Sequence, residues 1–94
     1  MLEVRKTERF LADVEEIVVY VARDNVQAAL DLEALLHSQT AQLADPNFPR
    51  RQGRVPGTWE LVAHPNYVVV LQQTPTTVTV LAVMHVARQF PPAR

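Results

Sequence analysis

The spacing of hydrophobic positions changes twice along the chain, and each change marks an element boundary. Leu2 and Val4 alternate with Glu3 and Arg5, which is the two-residue period of a short strand. From Phe10 the interval lengthens to three and four residues. Phe10, Val14, Ile17 and Val21, flanked by Leu11 and Val18, then form the apolar stripe of a helix. Thr7 stands where it can cap that helix, and Asp13, Glu15, Glu16 and Arg23 fall mostly off the stripe. Asp24 and Gln27, three apart, match a capping box and predict a second helix that starts there. Its face is Ala29, Leu32, Leu36 and Leu43, broadened by Ala28 and Leu35. Asp45-Pro46 stops it, because the residue before a proline is pushed out of helical geometry. With almost no linker between them, the two helices form an antiparallel hairpin.

Residues 46–57 read as the main loop. Pro46, Pro49, Pro56 and both glycines of the chain, Gly53 and Gly57, lie there among Arg50, Arg51 and Arg54. Three strand-like runs follow, at residues 58–63, 67–73 and 77–85, separated by His64-Pro65-Asn66 and Thr74-Pro75-Thr76. Such short connections predict an antiparallel meander. The fold class is therefore α+β: a short N-terminal strand, an antiparallel helix hairpin, then a three-stranded antiparallel meander with the hairpin on one face. In the last strand, simple alternation sends Val78, Val80, Ala82 and Met84 toward the helices. It sends Thr77, Thr79, Leu81, Val83 and His85 to the opposite face. Leu81 and Val83 would make that uncovered face greasy, and so become candidate partner-binding residues.

Composition narrows the class. The chain has 94 residues, 48% of them hydrophobic and 20% charged, which is too apolar for a disordered tail and too short for more than one domain. It has no Cys, so neither a disulfide nor a thiolate metal site is available. The first eleven residues carry Glu3, Arg5, Lys6, Glu8 and Arg9, unlike a signal peptide, and the longest apolar run, residues 17–22, is far short of a membrane span. A cytoplasmic domain without membrane contact is expected. Charge is divided unevenly. Residues 1–45 hold nine acids against four basic residues, and residues 46–94 hold Glu60 alone against five arginines. The second half thus suits an anionic partner. The overall net charge of −1 argues against avid, sequence-independent nucleic-acid binding.

The ordered pieces resemble the RelE/ParE superfamily of type II toxin–antitoxin toxins. The carriers are Tyr20-Val21-Ala22-Arg23-Asp24-Asn25 at the end of the first helix and Val26-Gln27-Ala28-Ala29 opening the second. The loop Gly53-Arg54-Val55-Pro56-Gly57-Thr58 follows, then Glu60-Leu61-Val62, the strand Tyr67-Val68-Val69-Val70, and the closing Val83-Met84-His85-Val86-Ala87-Arg88. Together they span residues 2 to about 90. The resemblance implies a toxin silenced by a cognate antitoxin in a hetero-oligomer, and it leaves two modes of poisoning open. RelE-like members are ribosome-dependent endonucleases of mRNA. ParE-like members inhibit DNA gyrase without chemistry of their own. A degenerate member that binds its antitoxin and poisons nothing is a third reading.

The residues favour the ParE-like branch. Attack of a ribose 2′-hydroxyl on the adjacent phosphate needs a base, an acid, and cations for the crowded charge. RelE-like members tend to carry Arg where this chain has Val68, and a phenol near the C-terminus where it has Phe90. If the chain is a ribonuclease, His85 is the candidate acid or base and Arg88 the candidate phosphate clamp, with Glu60 across the sheet. Arg50, Arg51 and Arg54 are candidates for binding a partner, either an acidic antitoxin segment or the target. Trp59 and Tyr67 read as core residues. Neither His37 nor His64 has ligand spacing to a second His or Cys, so no metal or other cofactor is expected.

Overall fold

The computed structural model describes residues 1–87 as a sheet of five strands with a helix hairpin against one face. The elements are β1 (Glu3–Lys6), α1 (Glu8–Ala22), α2 (Val26–Ala41), β2 (Arg51–Gln52), β3 (Trp59–His64), β4 (Tyr67–Gln73) and β5 (Thr77–His85), with a 3₁₀ turn at Gln42–Ala44 after α2. Their spatial order is β1-β5-β4-β3-β2. β3, β4 and β5 are the antiparallel meander, and β1 joins its far edge in parallel, Glu3 opposite Thr77 and Lys6 opposite Val80. The two-residue β2 lay hidden in the proline-rich loop, where two residues are too few to show a period.

Both helix starts are chemically marked. Thr7 accepts a hydrogen bond from the Phe10 N–H at 3.1 Å, capping α1, while its hydroxyl lies 3.0 Å from the Val80 carbonyl and 3.1 Å from that of Leu81. α2 is capped one residue later than the capping-box spacing suggests. Asn25, in extended backbone, accepts from Ala28 N–H at 3.0 Å, whereas Asp24 is bonded through its backbone N–H to the Val21 carbonyl in the end of α1. α2 stops short of Asp45, and the 3₁₀ turn carries Leu43 into the core.

The core is one cluster between hairpin and sheet. It takes Phe10 and Val14 from α1, Leu32 and Leu36 from α2, and Leu43 from the turn. The sheet contributes Leu61 and Ala63, then Tyr67, Val69 and Leu71, then Val78, Val80 and Val83. Leu11, expected to flank the stripe, is exposed. The last strand departs from simple alternation. Val70 faces Ala82 but Leu71 faces Val80, so Leu81 is the extra residue of a bulge. Beyond it the faces exchange. Val83 enters the core at 6% exposure and Ala82 and Met84 turn away from the helices, the reverse of the expected arrangement. Leu81 is half-buried and lies outside the core cluster.

A polar clasp closes the hairpin onto β1. Lys6 Nζ lies 2.9 Å from His37 Nδ1 and 6.0 Å from the centre of the Phe10 ring, which His37 meets edge-on. Burial and the Lys6 charge hold His37 below the ordinary histidine pKa, although Glu33 pulls the other way. The unfolded chain therefore takes up the His37 proton first. This stabilisation is present above the ordinary value of 6.5 and is lost as pH falls below it. Denaturant titrations of the wild type and His37→Gln between pH 5 and 7.5 should show a smaller pH dependence in the variant. Thr7→Ala should lower stability by about 1–2 kcal/mol, because it removes a cap and a strand contact together, and Thr7→Ser should restore most of the loss.

Candidate functional site

The face of the sheet away from the helices is built by residue pairs whose side chains share it. Glu60 is opposite Val70 and Arg51, Val62 is opposite Val68, Val68 is opposite Met84, and Val70 is opposite Ala82. Its centre is apolar, and its polar group is the carboxylate of Glu60, only 2% exposed. Burial of an ion needs partners, and the loop supplies them. Arg51 donates from Nε at 3.2 Å and from a terminal nitrogen at 3.0 Å to Oε1, and the Arg54 backbone N–H donates to Oε2 at 3.1 Å. The Arg54 guanidinium stands 3.8 Å from the same oxygen. Both guanidiniums remain about half exposed, so the cluster presents two cations sharing one anion at the rim of the face.

Turn chemistry places those cations. β2 and β3 form a hairpin whose loop closes with Gly53 N–H donating to the Thr58 carbonyl at 2.8 Å. A side chain on Gly53 would collide with Thr58, and Gly57 takes the left-handed backbone, φ 84°, that the tight return requires. Arg54, Glu60, Val68, Val70, Met84, His85 and Val86 surround a hollow with about 10 Å³ of space for the centre of a water molecule. That is room for about one water and not for a nucleobase.

The structure separates the residues singled out in the sequence. Arg51 and Arg54 come together over Glu60. Arg50 turns away and is a structural tie. Its guanidinium donates to the carbonyls of Phe48 at 2.9 Å and Leu43 at 3.4 Å, to the Asp45 carbonyl, and to Gln73 Oε1 at 2.9 Å. Partial burial pushes its pKa down from the usual arginine value, with Asp45 acting in the opposite sense. Val83 is a core residue, as described above, so the apolar side chains on the face away from the helices are Val62, Val68, Val70, Ala82 and Met84 instead; Val62 is half exposed, Ala82 and Met84 are half-buried, and Val68 and Val70 are buried. His85 stands at the end of β5. It lies opposite Tyr67, with ring centroids 5.2 Å apart and planes at 83°, and its Nδ1 accepts from Ala87 N–H at 3.0 Å. His64 flanks the same Tyr67 at 5.6 Å, making a row of three rings across the end of the sheet. Arg88 and Phe90 lie outside the described residues. Among the described residues no group of three or more His, Cys, Asp or Glu is gathered to hold a metal, and no helix is long and apolar enough to cross a membrane.

Residues 4–90 match the family described as the ParE toxin of the type II toxin–antitoxin system parDE. The chain belongs to the ParE toxin family. It is 31% identical over 88 residues to "Putative toxin Y4kP" of Sinorhizobium fredii, an alignment covering 94% of this chain and 92% of that protein. Its fold is similar to a chain of the chromosomal ParDE system from P. aeruginosa, with a TM-score of 0.79, 20% identity, and coverage of 92% of this chain and 97% of the other. A chain of the E. coli DinJ-YafQ complex shares the fold more distantly, with a TM-score of 0.61 and 13% identity over 93% of this chain and 96% of the other. For this ParE-family chain the different duties of neighbouring arginines can be measured. Arg50→Ala should lower unfolding stability by about 1–2 kcal/mol, through the loss of several carbonyl contacts. Arg54→Ala should cost less than half of that, since its side chain is half exposed and its backbone N–H still serves Glu60.

Proposed function

We propose that this protein is the toxin of a type II toxin–antitoxin pair that poisons by binding DNA gyrase rather than by cutting RNA. The observation that carries this reading is the uncovered sheet face. Its middle strands line it with Val68 and Val70, both buried, and with the half-buried Ala82 and Met84. Its two rim cations, Arg51 and Arg54, are already shared by the buried carboxylate of Glu60. A cleaving site would have to stabilise a pentacoordinate phosphorane carrying extra negative charge, and a carboxylate beside the two cations that the described residues bring to this face opposes that. His85 packs against the Tyr67 ring, and its Nδ1 is engaged by the Ala87 N–H. An apolar sheet face rimmed by charge, with a hollow too small for a nucleobase, suits contact with a protein surface instead.

The antitoxin has a different surface to cover. The outer side of the hairpin leaves Val19, Tyr20, Val26 and Leu30 exposed, each by about half or more. An amphipathic helix laid on those side chains would bury them in the helix-in-groove manner. Arg51 in the edge strand β2 and Arg54 in the loop after it offer opposite charge to an acidic extended segment of the same antitoxin. A cytoplasmic location, shared with the antitoxin and gyrase, is part of this reading.

Two measurements on the purified protein test the reading. It should inhibit DNA supercoiling by gyrase and leave mRNA on programmed ribosomes intact. Ribosome-dependent cleavage with unaffected supercoiling would reverse the assignment. Tyr20→Asp and Leu30→Asp, at positions already open to water, should leave the fold intact and weaken antitoxin binding by at least tenfold in calorimetry.

A further inference from the structure

Lys6 is the only lysine in the chain, and its position has nothing to do with the uncovered sheet face. It ends β1, is exposed, and puts its ammonium 2.9 Å from Nδ1 of His37 on α2. We propose that Lys6 is an acylation site, with His37 as the base that activates it toward small activated acyl donors such as acyl phosphates and acyl thioesters.

The geometry supplies the parts such a reaction needs. Lys Nζ has donors only, so the contact requires Nδ1 of His37 to be the acceptor, and the imidazole is neutral with its proton on Nε2. The groups facing the pair are Lys6 itself from β1, the apolar ring of Phe10 from α1, and Glu33 on α2. Partial burial lowers the pKa of Lys6, raising its free-amine fraction, and burial with the Lys6 charge keeps His37 in the basic form through neutral pH. In the reaction the exposed Lys6 ammonium first gives one proton directly to water, which leaves the Nδ1 lone pair of His37 free. The amine lone pair then forms a C–N bond to the acyl carbon, and His37 Nδ1 takes the second proton as the amide forms. The C–O or C–S bond breaks, and its electron pair leaves with phosphate or thiolate. No oxidant or reductant is involved. The product has lost the charge over Phe10 and the bond to His37, so acylation unfastens β1 from α2.

A single lysine makes the test direct, because an acetyl group on the protein can reside on Lys6 or on the N-terminal amine, and peptide mapping by mass spectrometry separates them. The full chain is incubated at pH 7 with acetyl phosphate in one arm and acetyl-coenzyme A in the other. The same is done for His37→Gln, and for the wild type unfolded in guanidinium chloride. Lys6 of the native wild type should react about tenfold faster than Lys6 of either comparison, with the N-terminal amine unchanged by the substitution. The enhancement should vanish as pH falls and His37 protonates. Reaction with only one of the two donors supports the site and names its source. Equal Lys6 rates in native and unfolded protein, or an enhancement that survives His37→Gln, would overturn it. The unfolded wild type keeps the comparison valid even if the variant folds poorly.

Discussion

One extra residue in β5 decides what each face of this protein can do. A strand that alternated without interruption would give Val83 and His85 to the uncovered side and would bury Ala82 and Met84 under the helices. The bulge at Leu81 reverses that for everything after it. Val83 fills the core opposite Val69, and the smaller Ala82 and the flexible Met84 join Val68 and Val70 outside. The histidine, at the end of the strand, packs against Tyr67. The chemical poverty of that centre follows from a backbone irregularity as much as from the choice of side chains.

Beyond Val80, β5 also has an outer edge that β1 is too short to pair. Unpaired strand edges expose backbone groups to foreign strands, and α1 answers for them here. The Thr7 hydroxyl and backbone N–H reach the Val80 carbonyl, and Asp13 Oδ2 accepts from Val83 N–H at 3.0 Å. Asp13, which the sequence places on the polar side of α1, is thus spent on the sheet. At the other edge the same accounting is done by the loop, where Arg50 gathers carbonyls left open after the 3₁₀ turn and Glu60 gathers the next two arginines. Edge protection and loop placement use the same few charged side chains, which leaves fewer of them for chemistry.

The readable part of the fold was the part with a period. The stripe of Phe10, Val14 and Ile17, the runs at β3, β4 and β5, and the prolines at the loop were all legible, because burial imposes spacing over many residues. The capping of α2 by Asn25 rather than Asp24 was not, since both residue types accept backbone N–H bonds and only the local φ, ψ chooses between them. The bulge left no mark either. Val, Ala, Val and Met are apolar on both sides of it, so slipping the alternation by one changes no polarity. In the site, Glu60 was visible as the lone acid of the basic half, and its meeting with Arg51 across a short hairpin was in principle readable from the two glycines between them. The separate fate of Arg50 was hidden, because three arginines in five residues look alike until the backbone carbonyls near them have been placed.

The parallel pairing of β1 with β5 has a consequence in time. Glu3 lies against Thr77, so the first strand to be synthesised waits for the last before it has a neighbour. The loop closed by that pairing spans most of the chain, and contacts so distant in sequence form late because chain entropy opposes them. While the ribosome is still making β5, the hairpin has only part of its floor, and the core positions of Val78, Val80 and Val83 are empty. A nascent chain of this kind is harmless until it is nearly finished, and an antitoxin translated alongside it can be folded and waiting when the final strand arrives.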